Sequence, residues 1–547
     1  MPPGFPSPLE SSFELLHEEP RPVATLATMR SRSLLVAWLL ALAPYLLLVA
    51  SFDFVCDDAY ISFRYARNLV EGEGLRFNPG ESPPVEGYSN LLWVLLLAGA
   101  QVVGIAPALA ARAMSVVCGA TLLLLVLHHA REREGQVVAP GLAALFLATL
   151  PPFFVWSTGG LATLPAALLL FALHTTLHGE RAEGRGWRAG LLAATLVLLR
   201  ADGHVLAVIV IGVAAAEALL RRNRALLFSC GGTFGFLILA ATGQLAFRWL
   251  YHQELLPNTV RAKVGLSGLT LLRGFDYVAS LLLTFLPVLL VLGAGMVAGL
   301  LSRSARTLRA LAITLGILGY CVVVGGDFMA MGRFMVPTLP FVALVLASLL
   351  SRWDSPRARS SASLLTAALV ILSLLPAFDV HVVPATVRET FDYRWSSDKN
   401  LTEVAFWRKM KERSEDWSRL GKALRARAGT GDTIVLAAIG AVGYESRLPV
   451  LDRCGLVTGE VARLPAKPGR HTAGHEKLVP TSFFLDRRPA ILEAVLVDAR
   501  NPGSPGVGVD LNDPIVRSEY EVRVQPLGDV EGFSENDALR TVRRKGG

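Results

Sequence analysis

Long uncharged segments recur through the first 380 residues of this 547-residue chain. The first of them, residues 33–52, contains no charged side chain. At about 1.5 Å per residue, a helix of that length crosses the roughly 30 Å apolar core of a bilayer. The charged fraction is only 18% and the mean hydropathy is +0.46. The sequence therefore predicts a polytopic α-helical membrane protein rather than a soluble one.

Eleven segments are apolar enough for us to predict membrane spans. A further apolar segment, residues 91–103, is too short to span easily and predicts a helix lying in the membrane interface. The predicted spans lie near residues 33–52, 108–130, 139–156, 161–178, 187–203, 204–220, 225–250, 277–300, 308–326, 334–350 and 362–380.

Arginines between the predicted spans set the orientation of the chain. With the N-terminus inside, the three short outer loops hold only Arg200 and Arg333. This bias follows the rule that basic residues stay in the cytoplasm. It predicts an extracytoplasmic location for residues 53–90, about 251–275 and 381–547. The five cytoplasmic loops hold Arg131, Arg133, Arg181, Arg185, Arg188, Arg221, Arg222, Arg224, Arg303, Arg306, Arg309, Arg352, Arg357 and Arg359.

Three regions follow from this pattern. Residues 1–32 are predicted to form a disordered cytoplasmic tail. Within it, Met29 resembles the initiating methionine of a membrane protein, since Arg30 and Arg32 follow it just before the first apolar segment. Residues 33–380 predict the membrane domain, and residues 381–547 a small extracytoplasmic α/β domain. In the latter, residues 398–426 predict a helix, and "DTIVLAAIGAVGY" and "AILEAVLVDAR" each predict a strand.

Composition also excludes several classes of protein. The net charge of +8 is spread over short loops, which argues against a nucleic-acid partner. The five cysteines show no metal-binding spacing. Cys56 and Cys454 both lie on the predicted outer side, where an oxidising compartment would permit a disulfide between them. His128 and His129 lie at a predicted cytoplasmic helix end, where we expect them to be solvated.

Polar residues gather at the outer ends of the predicted spans. The topology was derived from arginines and not from these clusters, so their common location is informative. Polar groups at such a depth usually face a cavity, and we predict a shared outer pocket. The clusters are "CDDAYISFRYARN" with "NPGESPPVEGYSN", "WSTGGLAT", "LRADGH", "ELLPNTVRAKV" and "GGDFMAMGRF".

Each cluster also has a purely structural interpretation. Asp57 and Asp58 suit the N-terminus of a helix that begins near Ala59. Because adjacent residues of a helix point about 100° apart, we expect the two aspartates to have different roles. Asp57 then fits the capping position, and Asp58 the catalytic one. Arg64 suits a helix-surface ion pair.

Three further pairs have local explanations of the same kind. Arg200 can pair with Asp202, and Asp327 can form a salt bridge with Arg333 on one turn. Pro257 and Asn258 are typical turn residues.

Taken together, these motifs resemble the GT-C glycosyltransferases, and more narrowly the bacterial branch with the mycobacterial terminal arabinofuranosyltransferases. The resemblance covers residues 53–480. Relatives are expected to have an acidic residue where this chain has Ala162. The resemblance rests on "DDAYISFRYARNLVEGEGLRFNPGE", "VEGYSNLLW", "ELLPNTVRAKV", "GGDFMAMGRFMVP" and "IGAVGYESRLPVLDRCGL".

The resemblance implies sugar transfer from a polyprenyl-phosphate donor to a cell-envelope glycan or lipid, at the outer face of the inner membrane and with inversion. An aspartate would take the proton of the acceptor hydroxyl, and basic side chains would stabilise the leaving phosphate. A divalent cation between an aspartate and the phosphate stays open. The implied site comprises Asp57 and Asp58 as catalytic residues, Arg64, Arg261, Lys263 and Arg333 for the phosphate, and Tyr60, Glu86, Tyr88, Asn258 and Asp327 for substrate.

Two other classes of function stay open. A transporter or flippase of envelope lipids would need charge deep within several spans, whereas here the charges lie at the outer ends. A catalytically inactive membrane scaffold is the third class, and Ala162 in place of a pocket carboxylate would fit it.

Overall fold

The computed structural model describes residues 23–179, 186–263, 267–353, 355–391, 393–394, 396–466, 472–503 and 508–546. Sixteen α-helices make up the first two thirds of this described part. They are α1 (Val23–Ser51), α2 (Asp57–Val70), α3 (Leu91–Val102), α4 (Pro107–Glu134), α5 (Val138–Ala148), α6 (Pro151–Val155), α7 (Thr163–His178), α8 (Gly186–Leu199), α9 (Gly203–Leu220), α10 (Arg224–His252), α11 (Asn258–Lys263), α12 (Gly268–Thr284), α13 (Leu286–Ser302), α14 (Ala305–Val323), α15 (Leu339–Leu350) and α16 (Pro356–Leu374).

The last third combines helices with one sheet. Its elements are α17 (Ala385–Arg388), α18 (Glu403–Arg427), β1 (Ile434–Leu436), α19 (Gly440–Ser446), β2 (Val450–Asp452), α20 (Gly459–Ala462), β3 (Ile491–Asp498), α21 (Pro514–Glu519), β4 (Tyr520–Pro526) and β5 (Asp537–Arg544). Short 3-10 helices occupy Arg333–Thr338, Leu375–Phe378, Ser396–Asp398 and Thr481–Arg487.

The helical membrane part confirms the predicted fold class. Among the described residues, seven helices are long and apolar enough to cross a membrane, and eight if one bent pair counts as a span. The predicted spans 139–156, 161–178 and 187–203 fall on shorter apolar helices, of which α5 has 11 residues and α8 has 14. The short helix predicted at residues 91–103 is α3, with 12 residues. Its place in the membrane interface stays a prediction.

Two boundaries differ from the predictions. Helix α1 begins at Val23, inside the predicted tail, while residues 1–22 lie outside the described part. The predicted span 277–300 is two helices, α12 and α13, bent by 96°. Pro287 in the first turn of α13 explains the break, because proline has no amide hydrogen and its ring clashes with the preceding turn.

The C-terminal elements form the predicted α/β domain. The five strands lie in the order β2-β1-β3-β5-β4. β1 is parallel to β2 and β3, whereas β5 is antiparallel to β3 and β4. Helix α18 packs on β3 and β5. It begins at Glu403 because the Thr402 hydroxyl accepts the backbone N–H of Ala405 at 3.2 Å.

Two smaller expectations are not met. Cys56 and Cys454 are both buried, and no disulfide joins them. The Cys56 thiol donates instead to the carbonyl of Gly159 at 3.1 Å. His129 is buried rather than solvated, because its ring packs against Phe171 in the helix bundle.

Candidate active site

The two adjacent aspartates begin helix α2, but Asp57 caps a different helix. Its carboxylate accepts the backbone N–H groups of Gly440, at 3.2 Å, and Ala441, at 2.7 Å. These are the first residues of α19 in the C-terminal domain. A carboxylate at a helix N-terminus satisfies unpaired N–H groups and complements the positive end of the helix dipole. Asp57 therefore holds the two parts of the protein together.

The close approach of the two chains requires a glycine at residue 440. A Cβ atom on Gly440 would overlap the backbone carbonyl oxygen of Asp57. Burial raises the pKa of Asp57 from 3.8 to about 7, more than the hydrogen bonds from Ala441 and Gly440 lower it.

The carboxylate of Asp58 is more available than that of Asp57. It is half-buried, and among the described residues no hydrogen bond to its carboxylate is found. It lies close enough to Arg333 for the two charges to interact. Both Asp57 and Asp58 line a cavity of about 320 Å³. An unpaired carboxylate beside a cavity is poised to accept a proton from a bound hydroxyl.

The cavity lies between the membrane domain and the C-terminal domain. On one side it is lined by the start of α2 and by Phe328 and Met329 from the loop after α14. The opposite wall comes from α18, from the turn after β1 and from residues 473–478. Cys56 and Cys454 line it from the two sides. Both domains are thus needed to form the site.

The C-terminal wall contributes polar residues that sequence reasoning missed. Asp398 is buried, and its Oδ2 atom has no hydrogen bond within the described part of the chain. Nη1 of Arg413 lies 3.6 Å from that oxygen. Trp417 and His475 also line the cavity. The only signal for Asp398, Arg413 and Trp417 was the charged helix predicted at residues 398–426, and the polar side chains of such a helix are usually solvated.

Arg333 and Asp327 form the salt bridge that their spacing allows. Nε of Arg333 donates to Oδ2 of Asp327 at 2.8 Å. The guanidinium lies over the rings of Phe334, at 5.1 Å, and Trp156, at 5.7 Å. Arg200 pairs with the neighbouring Asp202 through two bonds of 2.7 Å, as its structural interpretation expected.

The structure places Arg64 in a structural position instead of at the cavity. It is 1% exposed, and its three nitrogens donate to the carbonyls of Phe77, Gly443 and Leu448 at 2.6–2.8 Å. Its guanidinium stacks on the Phe77 ring at 4.1 Å. Burial lowers the pKa of Arg64 to about 9. These contacts join α2 to α19, so we leave Arg64 out of the proposed phosphate site.

Glu86 and Tyr88 also form buried contacts between segments. Nε of Arg248 on α10 donates to both carboxylate oxygens of Glu86, at 2.9 and 3.1 Å. Burial nevertheless raises the pKa of Glu86 to about 7. The Tyr88 hydroxyl lies 3.1 Å from Nε2 of His252. Neither residue lines the cavity next to Asp58, and their substrate role stays a prediction.

The remaining predicted residues lie around the outer loop. Tyr60 is half-buried beside Tyr444, with ring centroids 5.6 Å apart. The Asn258 side chain donates to the carbonyls of Gly455 and Leu456 in the C-terminal domain.

The two basic residues predicted on this segment remain unassigned. Arg261 forms a salt bridge with Glu254. The side chain of Lys263 lies outside the described part. Their phosphate-binding role stays a prediction.

Two features bear on the open questions about metal and activity. Among the described residues, no three His, Cys, Asp or Glu side chains gather as metal ligands. Asp57 already accepts two N–H groups. The donor set does not fit a cation held by the protein alone, and we derive no step through one. Ala162 is buried at the N-terminus of α7 and does not line the cavity.

Known structures share this architecture over nearly the whole chain. A crystal structure of ArnT from Cupriavidus metallidurans bound to undecaprenyl phosphate has a TM-score of 0.55 and 11% identity, and the match covers 95% of this chain and 98% of ArnT. The apo state of the same protein gives a TM-score of 0.52 and 12% identity, with the same coverage. The chain has the GT-C fold. It is accordingly a multi-pass membrane protein.

Three other comparisons give less support to the assignment of the fold. A cryo-EM structure of the arabinofuranosyltransferase AftD from Mycobacteria matches 94% of this chain and 40% of its own, at 16% identity. Its TM-score of 0.43 is too low to support an argument. A family model described as a domain of unknown function, DUF8728, matches residues 404–536 in the C-terminal domain. No curated protein matches the chain in sequence.

Proposed function

We propose that the protein is an integral-membrane glycosyltransferase. It transfers a sugar from a polyprenyl-phosphate donor to a cell-envelope glycan or lipid at the outer face of the inner membrane. The observation that carries this proposal is the Asp58 carboxylate, which lines the interdomain cavity without a hydrogen-bond partner among the described residues. ArnT, which has the same fold, is known with undecaprenyl phosphate bound, and this supports a donor of that class.

Asp58 acts as the general base. An acceptor hydroxyl is a weak nucleophile until its proton is removed as the new bond forms. Asp57 cannot serve equally well, since its two oxygens already accept the N–H groups of α19. The division of roles expected from adjacent helical residues is therefore retained, with Asp57 as a cap and Asp58 as the base.

Arg333 stabilises the leaving phosphate. Only its Nε donates to Asp327 among the described residues, which leaves both Nη groups for phosphate oxygens. It lies at the first residue of a helical segment long enough to cross the membrane, Arg333–Leu350. A lipid phosphate lies at this depth, at the edge of the apolar layer.

The reaction is a single displacement. The acceptor oxygen attacks the anomeric carbon, its proton passes to Asp58, and the carbon–oxygen bond to the phosphate breaks. The polyprenyl phosphate leaves with the bonding electrons, and its charge is balanced by Arg333. Attack opposite to the leaving group inverts the anomeric centre.

Incubation with donors tests this proposal directly. The purified full-length protein, in lipid nanodiscs, is incubated with a panel of polyprenyl-phosphate sugars and a cell-envelope extract as acceptor. We expect release of free polyprenyl phosphate from one donor, and release about 10²- to 10⁴-fold slower with the Asp58→Asn variant. No release from any donor, by a well-folded protein, would favour the scaffold or transporter alternatives.

A further inference from the structure

A second cavity, larger than the first, lies at the opposite ends of the helices. The length of helix α4 gives the distance between the two cavities. Arg112 near its start pairs with Asp53 at 3.0 Å, beside the aspartate loop, whereas Arg133 lies 21 residues further on, about 30 Å along the axis. The cavity at that far end has a volume of about 940 Å³. We call it the basic cavity, because Arg133, Arg221, Arg306 and Arg309 line it.

Positive charge in the basic cavity exceeds negative charge among the described lining residues. Glu217 is the one carboxylate among them. It already receives two bonds from Arg309, at 2.6 and 2.7 Å, and a salt bridge from Arg221 at 3.2 Å. Arg306 reaches its nearest carboxylate, on Glu134, only at 3.9 Å, and its side chain is 55% exposed. Such an excess attracts an anion.

A buried histidine group beside the basic cavity carries an unpaired nitrogen. His174 packs between His129 and His178, with ring centroids 5.6 and 4.7 Å away. It is 2% exposed, and its Nδ1 atom has no hydrogen bond within the described residues. His174 lines a small space that it shares with Arg133, Arg306 and Arg309. Buried polar atoms without partners are rare, and this one lies in a separate small space that three arginines of the basic cavity also line.

Two helix N-termini face the same cavity. Asn223 caps α10 and Ser304 caps α14, each by accepting a backbone N–H of the first turn, and both residues line the cavity. The positive ends of two long helices add to the arginine charges. They favour an occupant with several acceptor oxygens, such as a phosphate.

The surroundings of the basic cavity favour a lipid as the source of that phosphate. Leu220 and Phe228, which flank Arg221 and the start of α10, are each 86% exposed. Apolar side chains at the end of membrane helices contact acyl chains. We propose that the basic cavity binds the phosphate group of an anionic membrane lipid, on the face opposite to the Asp58 cavity. This proposal does not depend on sugar transfer.

A matched pair of double variants tests the site. Arg221→Gln with Arg306→Gln removes two lining charges and spares the half-buried Arg309, which is paired with Glu217. Arg222→Gln with Arg303→Gln removes the same charge from neighbouring positions that do not line the cavity. Each purified protein is titrated with phosphatidylglycerol, phosphatidylcholine or inorganic phosphate. The readouts are the thermal midpoint and retained lipid in native mass spectrometry.

We expect phosphatidylglycerol to raise the midpoint of the wild type and of the Arg222/Arg303 variant. The Arg221/Arg306 variant should bind it about 100-fold more weakly, since each charge-assisted hydrogen bond to the phosphate contributes about tenfold or more. Equal weakening in both double variants would overturn the proposal, because surface charge alone would then explain binding. An equal midpoint shift with inorganic phosphate would overturn the assignment to a lipid.

Discussion

The carboxylate of Asp57 accepts a 2.7 Å hydrogen bond from the backbone N–H of Ala441, which lies 384 residues later in the chain. This bond connects the first outer loop to the C-terminal domain at the wall of the candidate active site. It also separates the roles of two adjacent aspartates. Asp57 is committed to structure, whereas Asp58 faces the cavity without a hydrogen-bond partner among the described residues.

Replacement of Asp58 by Asn should abolish most of the transfer activity. Asn keeps the size of the side chain but cannot accept the proton, so we expect turnover to fall about 10²- to 10⁴-fold. Donor binding should be unchanged. Single-turnover rates and donor titrations measure the two effects separately.

Asp57→Asn is the matched control for that experiment. Its amide oxygen still accepts one N–H of α19, so turnover should stay within about tenfold of the wild type. A larger loss in Asp57→Asn than in Asp58→Asn, with both proteins folded, would reverse the assignment of the base.

Stability should depend on pH through Asp57. Burial raises the pKa of this carboxyl to about 7 in the folded protein, against 3.8 as its ordinary value. The folded state therefore binds a proton that the unfolded chain releases between these values. The stabilisation is complete below about pH 4 and is lost as the pH rises to about 7.

The difference in thermal midpoint between the wild type and Asp57→Asn measures this effect. It should decrease from pH 5 to pH 7 and then level off. Glu86, with a pKa of about 7, and Asp452, with a pKa of about 6, titrate in both proteins and cancel. A difference that is constant with pH would contradict the prediction.

Gly440→Ala should loosen the contact between the two domains. The added methyl group meets the Asp57 backbone, and an overpacked contact costs about 1–3 kcal/mol. Limited proteolysis should then release the C-terminal domain sooner. Gly431→Ala adds the same group where nothing lies within 4 Å, and it should behave like the wild type.

Arg64→Lys should impair folding and leave donor binding intact. Lysine keeps the charge but cannot reach three carbonyls, so we expect a loss of about 2–4 kcal/mol in the free energy of unfolding. Arg67→Lys, which removes one bond to the Tyr444 carbonyl, should cost less. If the folded Arg64→Lys protein instead showed a raised KM for donor, Arg64 would belong to the phosphate site.

The predicted orientation has its own test. The arginine bias places residues 381–547 outside the cytoplasm. A C-terminal reporter that is active only in the cytoplasm should therefore stay silent. A bright signal would place Asp58 on the cytoplasmic side and remove the outer-face part of the proposed function.

The sequence predicted the membrane fold, because apolar segment length and loop charge are properties of the sequence itself. It allowed the salt bridge of Arg333 with Asp327 as one of two interpretations. It placed the Asp57 cap on the helix near Ala59, whereas Asp57 caps α19, and the base role of Asp58 stays a prediction. It did not predict the role of Arg64. This guanidinium donates to backbone carbonyls, and because every residue has one, the residue types of the partners do not reveal the contact. Asp398 and Trp417 were missed because they become cavity residues only through the docking of two distant segments.

The contact between Arg64 and Gly443 can form only late in the synthesis of the chain. Arg64 leaves the ribosome 379 residues before its acceptor does. Until then its guanidinium must stay hydrated or be held by other partners. The membrane helices can therefore insert one by one, but the cavity beside Asp58 is complete only when the final fifth of the chain has been made. A protein truncated before Gly440 would be inserted in the membrane and yet have no complete site.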